Sequence, residues 1–248
     1  MTSPFFRRFA PAFLLLLALI VGPLLSSATS QVSVSIHIPF GNVSGAGSSS
    51  NNLLVTRAQF AESWNASKRT ANWVAWRLRA SDIGSVPRSD FHVDPVISTP
   101  SPSDYTNSGY DRGHLCPSGD RTNTSTNNYA VFSMINIIPQ APDNNQGPWE
   151  KLESYTRSLA QAGRVVYIIA GGVGSKGSFN GITIPASTWK VIVALQPGKT
   201  YPAVAGATTI AVLMPNSNGI RSNGWQQYQT TVATVASRTG YNFSNYPQ

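Results

Sequence analysis

Runs of β-branched and aromatic residues constrain the fold of this chain more than any other feature. Such runs are typical of strands, and five of them are clear: Trp73–Leu78, Val165–Ala170, Ile182–Ile184, Trp189–Leu195 and Thr208–Leu213. Strand and helix patterns do not alternate regularly along the chain, which disfavours a doubly wound parallel sheet. The order of the patterns therefore predicts an α+β fold.

Only one segment has a strong helical period. Apolar residues recur there at three- and four-residue steps, at Leu152, Tyr155, Leu159 and Ala162. Pro148 suits the first turn of this helix and Gly163 its C-terminal cap. A last helix is predicted within Gly224–Arg238, whereas the apolar run Ala130–Ile138 fits either a strand or a helix.

The first 30 residues have the pattern of a cleaved signal peptide. Two arginines, Arg7 and Arg8, precede the mostly apolar run Leu14–Leu25, and small residues follow it up to Gln31. The run is shorter than the roughly 20 apolar residues that a membrane span needs. We therefore expect cleavage before Gln31, export to the periplasm or the medium, and no membrane attachment afterwards.

The remaining chain is interpreted as a short leading segment and one domain. Residues 31–52 combine an apolar alternation, Val32–Ile36, with the Gly-, Ser- and Asn-rich stretch Gly41–Asn52, which predicts a strand and a flexible lead-in. Residues 53–248 are enough for one domain with an ample core. The single cysteine, Cys116, fits a small buried hydrophobe better than a nucleophile, although His114 is near it in sequence.

Charge is distributed unevenly along the chain. The formal net charge is +8, and all ten acidic residues lie between Glu62 and Glu153. The stretch after Glu153 contains seven basic residues and no acidic one. This asymmetry favours a polyanionic partner, either nucleic acid or an anionic cell surface. A solvated basic surface without a partner has the same composition.

The densest polar group is Asp111-Arg112-Gly113-His114, which Asp120 and Arg121 follow closely. A neutral imidazole can act as a general base at neutral pH, and an arginine can bind a phosphate through two hydrogen bonds. Hydrolysis of a phosphodiester needs both functions. On composition alone, a salt-bridged turn fits this group equally well.

A second polar group extends downstream from Asn136 to Arg157. Glu153 and Arg157 are four residues apart on the predicted helix, so they share one face, as functional groups or as a surface ion pair. Asn145 lies near the start of that helix, where it can cap the helix. It can also offer an amide oxygen to Mg²⁺, which takes few protein ligands and keeps most of its water. No Cys/His grouping in the sequence suits zinc.

Together these motifs resemble the DNA/RNA non-specific endonuclease family, which includes secreted bacterial sugar-non-specific nucleases and mitochondrial endonuclease G. The match comprises Asp111–His114, Asn136–Gln140, Asn144–Trp149 and Glu153 in order and spacing, and the likeness extends over most of residues 36–245. The resemblance implies a ββα-metal (His-Me finger) nuclease fold, with a central, mostly antiparallel sheet flanked by helices.

The resemblance assigns the metal centre and the base. His114 matches the family's general base, and Asn145 matches its direct Mg²⁺ ligand. Glu153 matches the acid that binds the metal through water, and Asn136 matches a polar residue that supports the metal centre. Cys116 departs from the pattern, because many relatives have alanine at that position.

The resemblance also assigns the groups around the phosphate. Asp111 and Arg112 match a supporting aspartate and a phosphate-side arginine, and Arg157 matches a basic residue near the scissile phosphate. Arg88 matches the arginine that stabilises the transition state, although its spacing to Asp94-Pro95 differs by about one residue from the family pattern.

The implied activity is Mg²⁺-dependent cleavage of single- and double-stranded DNA and RNA to 5′-phosphate ends, with Mn²⁺ or other divalent cations as substitutes. A protein inhibitor is a further class of partner that this function allows. Two alternatives stay open from the residues alone: a polyanion-binding protein on an inactive nuclease fold, and a phosphodiesterase or phosphatase for small molecules. A solvated His114 would titrate near pH 6.5, so the sequence predicts loss of activity below that pH.

Overall fold

A computed structural model describes residues 1–2 and 35–248. The chain divides into two compact units, Met1–Val32 and Ser33–Gln248, and every element described here lies in the second. The predicted signal peptide, residues 1–30, lies outside the described residues except for its first two. Within the described part, no helix is both long and apolar enough to cross a membrane.

Twelve strands are present in the described residues. They are β1 (Ser48–Ser49), β2 (Asn52–Thr56), β3 (Ala61–Asn65), β4 (Thr70–Leu78), β5 (Asp111–His114), β6 (Ile137–Gln140), β7 (Val166–Val173), β8 (Ser178–Phe179), β9 (Ile182–Thr183), β10 (Ser187–Ala194), β11 (Thr208–Pro215) and β12 (Gln229–Thr230). Eight of them form one antiparallel sheet in the order β1-β2-β3-β4-β7-β10-β11-β12, while β5 pairs with β6 and β8 with β9. The α+β prediction is confirmed, as are all five predicted strands.

Four α-helices flank the strands in the described part: α1 (Ser125–Val131), α2 (Pro142–Asn144), α3 (Glu150–Gln161) and α4 (Val232–Thr239). The predicted helix after Pro148 is α3, but it begins at Glu150, because Asn145–Trp149 forms a π-turn that contains Pro148. Its buried face is Leu152, Thr156 and Ala160, whereas the predicted core residue Tyr155 is exposed.

Two other segments of the sequence each contain more than one type of secondary structure. The run Ala130–Ile138 contains the end of α1, a 3-10 turn at Met134–Asn136 and the start of β6, so both alternatives occur within it. In Gly224–Arg238 only the part from Val232 onward is α-helical, and Trp225–Tyr228 forms a 3-10 turn. Gln229 and Thr230 instead pair with Val212 and Ala211 as the edge strand β12.

Both faces of the large sheet are covered. Along β4, Val74, Trp76 and Leu78 point to a cluster that includes Leu115, Phe132 and Leu152, which is the side of β5, β6 and α3. The alternate residues Trp73 and Ala75 point to the opposite cluster, which contains Val43, Val235 and Phe243. The period of two in an antiparallel strand therefore separates a site-bearing layer from a layer made by the two ends of the domain.

The segment before residue 53 requires a correction. Ser35 and Ile36 lie in coil and turn rather than in the predicted strand, and Val32 lies outside the described residues. The stretch predicted as a flexible lead-in buries Val43 and Ala46 against the sheet and contains β1. Burial of these apolar side chains stabilises the segment in a fixed position, although its Gly- and Ser-rich composition suggests a flexible loop. Residues from at least Ile38 therefore belong to the domain.

Candidate active site

The pairing of β5 with β6 joins the two polar groups of the sequence. Asp111 lies opposite Gln140, and His114 lies opposite Ile137. The close approach depends on Gly113, because a Cβ atom there would lie 2.0 Å from Oε1 of the fully buried Gln140. From β6 the chain continues through α2 and the π-turn into α3, so the ββα unit carries both motifs.

His114 is buried between two aromatic rings. Its ring centroid lies 5.1 Å from that of Phe91 and 4.7 Å from that of Phe132, and its Nε2 has no hydrogen-bond partner among the described residues. Burial, and then the charge of Arg88, lower the pKa of His114 to about 3. The expectation of a titration near pH 6.5 is therefore corrected downward, because that value applies to a solvated imidazole.

Asn136 fixes the chain that follows His114. Its Nδ2 donates to the carbonyls of Cys116 and Val131 at 2.8 Å each, and its Oδ1 accepts from the Cys116 N–H at 2.9 Å. The side chain is fully buried, and all of these hydrogen bonds are with backbone groups. The role predicted for it, support of a metal centre, would thus be indirect, through the loop after His114. Cys116 is a buried free thiol, and burial raises its pKa, as expected for a small hydrophobe and not for a nucleophile.

Asn145 is oriented by Asp111. The Asn145 Nδ2 donates to Asp111 Oδ2 at 2.8 Å, and Gln146 Nε2 donates to the same oxygen at 2.7 Å. Asn145 has helical backbone angles after α2 and is not a side-chain cap of α3, so the capping interpretation is wrong. Because its amide nitrogen is engaged by a carboxylate, its Oδ1 is left as the group that can bind a cation.

Glu153 and Arg157 do not form the surface ion pair that their spacing allows. Glu153 Oε1 lies 3.7 Å from Nζ of Lys190, which is fully buried in β10. Burial raises the pKa of Glu153, and the charge of Lys190 counters that rise. Arg157 Nη1 donates to Asp120 at 3.3 Å, and Asp120 also accepts from the Trp76 indole at 2.8 Å. Each predicted site residue on α3 is therefore held by a separate buried partner.

A cavity of about 580 Å³ brings most of the predicted site residues together. Its lining includes Arg88, Arg112, His114, Asn145, Glu153 and Arg157. Two of its arginines rest on aromatic rings: the Arg88 guanidinium carbon is 5.1 Å from the Phe132 centroid, and that of Arg112 is 4.6 Å from the Phe91 centroid. The two predicted residues outside this lining are Asp111, in an adjoining cavity of about 280 Å³, and the buried Asn136.

The sequence matches the family model of the DNA/RNA non-specific endonucleases over residues 40–248. The chain belongs to this family. It is therefore a nuclease, a hydrolase of phosphodiester bonds, and the family is one of enzymes that depend on a divalent metal ion. The family predicted from the central motifs is confirmed.

Individual relatives of this endonuclease cover most of its length. A nuclease of Nostoc sp. is 43% identical over 248 residues, which span 92% of this chain and 89% of the relative. A nuclease of Serratia marcescens is 28% identical over 206 residues, which span 77% and 74%. The crystal structure of the EndoG/EndoGI complex superposes with a TM-score of 0.72 at 21% identity, covering 87% of this chain and 94% of that one. This likeness confirms the ββα-metal nuclease fold.

The endonuclease offers a donor set that fits magnesium. The amide oxygen of Asn145 is free of the hydrogen bond that holds the amide nitrogen, and the Glu153 carboxylate lines the same cavity. Oxygen donors of this kind, few in number, suit an ion that retains most of its water. Asn145 and Glu153 are therefore the residues of the cavity that could hold such an ion.

Two residues of the site were missed by sequence reasoning, and one motif residue was given no role. Lys190 could have been recognised as a lone charge within an otherwise apolar strand, since buried lysines are rare unless paired. Asp120 was noted with the first motif, but its bonds to Trp76 and Arg157 depend on the tertiary fold. Arg221 gave no signal at all, because its contacts with Asp143 and Gln146 cross 78 and 75 residues of chain.

Proposed function

We propose that the protein is an exported, Mg²⁺-dependent endonuclease that cleaves DNA and RNA without sequence preference and leaves 5′-phosphate ends. The observation that carries the proposal is a cavity that combines three arginines, the amide oxygen of Asn145 and a histidine of lowered pKa whose Nε2 has no partner among the described residues. A neutral imidazole can accept a proton, and guanidinium groups can bind phosphate oxygens. This combination suits hydrolysis of a phosphodiester.

His114 acts as the general base. It takes a proton from a water molecule in the cavity, and the water oxygen attacks phosphorus in line. The bond between phosphorus and the 3′ oxygen breaks, and that oxygen takes up a proton from another water molecule to leave a 3′-hydroxyl. A bound Mg²⁺ supplies positive charge beside the phosphate. Arg88 and Arg157 bind the phosphoryl oxygens as their negative charge increases, and Asn136 keeps the His114 loop in place through the backbone of Cys116.

The substrate is a polynucleotide of either sugar type. The arginines of the cavity, Arg88, Arg112 and Arg157, suit contacts with phosphates, which carry no sequence information. No step described requires a 2′-hydroxyl group, so single- and double-stranded DNA and RNA are all substrates. Mn²⁺ and other divalent cations can take the place of Mg²⁺ where oxygen ligands dominate.

Plasmid cleavage tests the proposal. Supercoiled plasmid and a ribosomal RNA should both be cut by the wild-type protein with millimolar Mg²⁺ and left intact in excess EDTA. Asn145→Ala should require at least about tenfold more Mg²⁺ for half-maximal cleavage, because one direct ligand is lost. DNA fragments should become substrates for 5′ kinase labelling only after phosphatase treatment.

The same assay separates the two alternatives. An inactive polyanion-binding protein would retard the plasmid on a gel without nicking it. A phosphodiesterase for small molecules would hydrolyse bis-p-nitrophenyl phosphate and leave plasmid intact. Either result, or full cleavage in EDTA, would overturn the proposed mechanism.

Export is part of the proposal and rests on the sequence of residues 1–30 alone. The exported protein should begin at Gln31, which N-terminal sequencing can establish, and recovery of intact Met1 outside the cytoplasm would contradict it. A protein inhibitor is a compatible partner, because a neighbouring fold was solved in the EndoG/EndoGI complex. Such an inhibitor would cover the cavity that takes the substrate.

A further inference from the structure

The loop after β11 is fastened to the turn that carries Asn145. A Cβ atom at Gly147 would lie 2.7 Å from the Cα of Arg221, so only glycine allows this approach. Nζ of Lys151, in α3, donates to the carbonyls of Arg221, Ser222 and Asn223 at 3.0, 3.1 and 3.0 Å. The backbone around Arg221 is therefore held against the π-turn from two sides.

The Arg221 side chain bridges the residues on either side of Asn145. Its Nε donates to Asp143 Oδ1 at 2.8 Å, and its Nη1 donates to Gln146 Oε1 at 2.8 Å. Asp143 also accepts from the Gly219 N–H at 2.7 Å. A guanidinium with several donors in a fixed plane suits such a double contact, which a lysine ammonium cannot reproduce with the same geometry.

These contacts set the orientation of the Gln146 amide. Because Arg221 can only donate, the Gln146 oxygen faces Arg221, and the Gln146 nitrogen is directed to Asp111 Oδ2 at 2.7 Å. The same Asp111 oxygen accepts from Asn145 Nδ2 at 2.8 Å. Hydrogen bonds therefore run without interruption from Arg221 through Gln146 and Asp111 to Asn145.

We propose that Arg221 is a positioning residue for the metal ligand Asn145, acting through Gln146 and Asp111. The inference rests on the proposed function, in which Asn145 Oδ1 binds the cation. Without Arg221, the Gln146 oxygen loses the donor that anchors it, so the Gln146 side chain moves more freely and its Nε2 is bonded to Asp111 Oδ2 for less of the time. Asp111 then holds Asn145 less firmly, so the amide oxygen spends less time directed into the cavity.

Metal binding without substrate is the direct test. Mn²⁺ binding to the whole protein, measured by electron paramagnetic resonance, should weaken about fivefold in Arg221→Ala. Loss of a partner next to a metal ligand costs about 10- to 100-fold, and Arg221 acts two residues further away, through Gln146 and Asp111, and is half-exposed. Arg221→Lys should behave like Arg221→Ala. The matched control is Arg238→Ala, which removes an exposed charge from α4 on the opposite side of the sheet and should bind Mn²⁺ as the wild type does.

Two further variants keep the test decisive. Gln146→Leu interrupts the same route without a substitution in the loop, so it should weaken Mn²⁺ binding to a similar extent. The double variant Arg221→Ala, Gln146→Leu should weaken Mn²⁺ binding little further. Cleavage at saturating metal should stay within about twofold of wild type in Arg221→Ala, because His114 is untouched. The effect thus falls on the metal concentration required and not on the maximal rate.

Failure of the inference differs from failure of the proposed function. If Asn145→Ala binds Mn²⁺ with wild-type affinity, the assignment of the metal ligand is wrong. If Asn145→Ala loses Mn²⁺ while Arg221→Ala and Gln146→Leu keep wild-type affinity, the function stands and the role of Arg221 is overturned. A lower melting temperature of Arg221→Ala with unchanged Mn²⁺ affinity also overturns that role, since it shows a structural contribution alone.

Discussion

At His114, burial does two things that a solvated histidine cannot combine. It removes water from the ring, which lowers the pKa to about 3, and it leaves Nε2 without a partner among the described residues. The positive charge of Arg88 acts in the same direction. A ring that stays neutral is always ready to accept a proton, but it is a weaker base than one with a pKa near 7. The proposed mechanism therefore requires the arginines and the cation to supply more of the barrier reduction.

Replacement of His114 tests its role as base. We expect His114→Ala to fold, to bind DNA and to bind Mn²⁺ as the wild type does, while its cleavage rate falls at least about 100-fold, because a general base contributes about 10²- to 10⁴-fold. Plasmid nicking gives the rate, and gel retardation gives DNA binding. Added imidazole should restore part of the rate to His114→Gly. Wild-type cleavage by His114→Ala across neutral pH would remove the base assignment.

The histidine pKa values predict behaviour in acid. Burial lowers the pKa of His37 to about 4, while its Nδ1 accepts from the Arg77 N–H at 3.1 Å. Imidazole Cε1–H NMR signals of His37 and His114 should therefore stay at their neutral positions from pH 8 to 5. The unfolded chain takes up these protons below about pH 6.5, so both histidines contribute stability that is lost as pH falls from there towards 4 and 3. An NMR midpoint near 6.5 for His114 would contradict its burial.

Among the elements, the pair β5–β6 was the hardest to derive from the sequence. Long β-branched runs identified β4, β7, β10 and β11, because burial on both faces leaves a continuous apolar pattern. By contrast, β6 is only four residues long, its first two residues end an apolar run that also contains helix and turn, and its partner β5 is mostly polar. Local preference cannot specify such a strand, because its pairing with β5 and its burial determine it.

The site residues also divide into those that the sequence indicates and those that depend on the tertiary fold. The motif resemblance located His114, Asn145 and Glu153, which line one cavity as expected. It did not locate Lys190 or Arg221, which reach the site from β10 and from the loop after β11. Those contacts exist only once strands far apart in sequence have paired. The local pattern marks Lys190 as a lone charge in an apolar strand, but it indicates neither the partner of Lys190 nor the role of Arg221.

Gly113 allows a test of the β5–β6 pair. Gly113→Ala would place Cβ 2.5 Å from Cγ of the buried Gln140, so we expect destabilisation of about 1–3 kcal/mol from overpacking, measured by urea unfolding, and slower plasmid cleavage because His114 follows directly. The double variant Gly113→Ala, Gln140→Ala removes the obstructing atoms and should recover part of both losses. If Gly113→Ala alone is as stable and active as wild type, the tight approach has been misjudged.

At the scale of the whole molecule, the charge asymmetry is partly compensated within the fold. Of the seven basic residues after Glu153, three pair with acidic residues from earlier in the chain: Arg157 with Asp120, Lys190 with Glu153, and Arg221 with Asp143. The two halves of the sequence thus neutralise each other where the sheet and α3 bring them together. The acid-free stretch is a weaker sign of a polyanionic partner than the sequence suggested, and the arginines that line the cavity are the better one.

If DNA binds through the arginines of the cavity and not through the whole basic stretch, its affinity should depend only modestly on salt. If Arg88, Arg112 and Arg157 each neutralise one phosphate of duplex DNA, the slope of log affinity against log salt is about −2.7, from about −0.9 per phosphate. A surface that used all seven basic residues of the acid-free stretch would give about −6 by the same rule. Affinity of His114→Ala for a short duplex, measured by fluorescence anisotropy at fixed Mg²⁺, gives the slope. Introducing Arg88→Ala should make it shallower by about 0.9, whereas Arg238→Ala, on α4, should leave it unchanged. A slope near −6, or an equal response to both substitutions, would place DNA on the broad basic surface instead of the cavity.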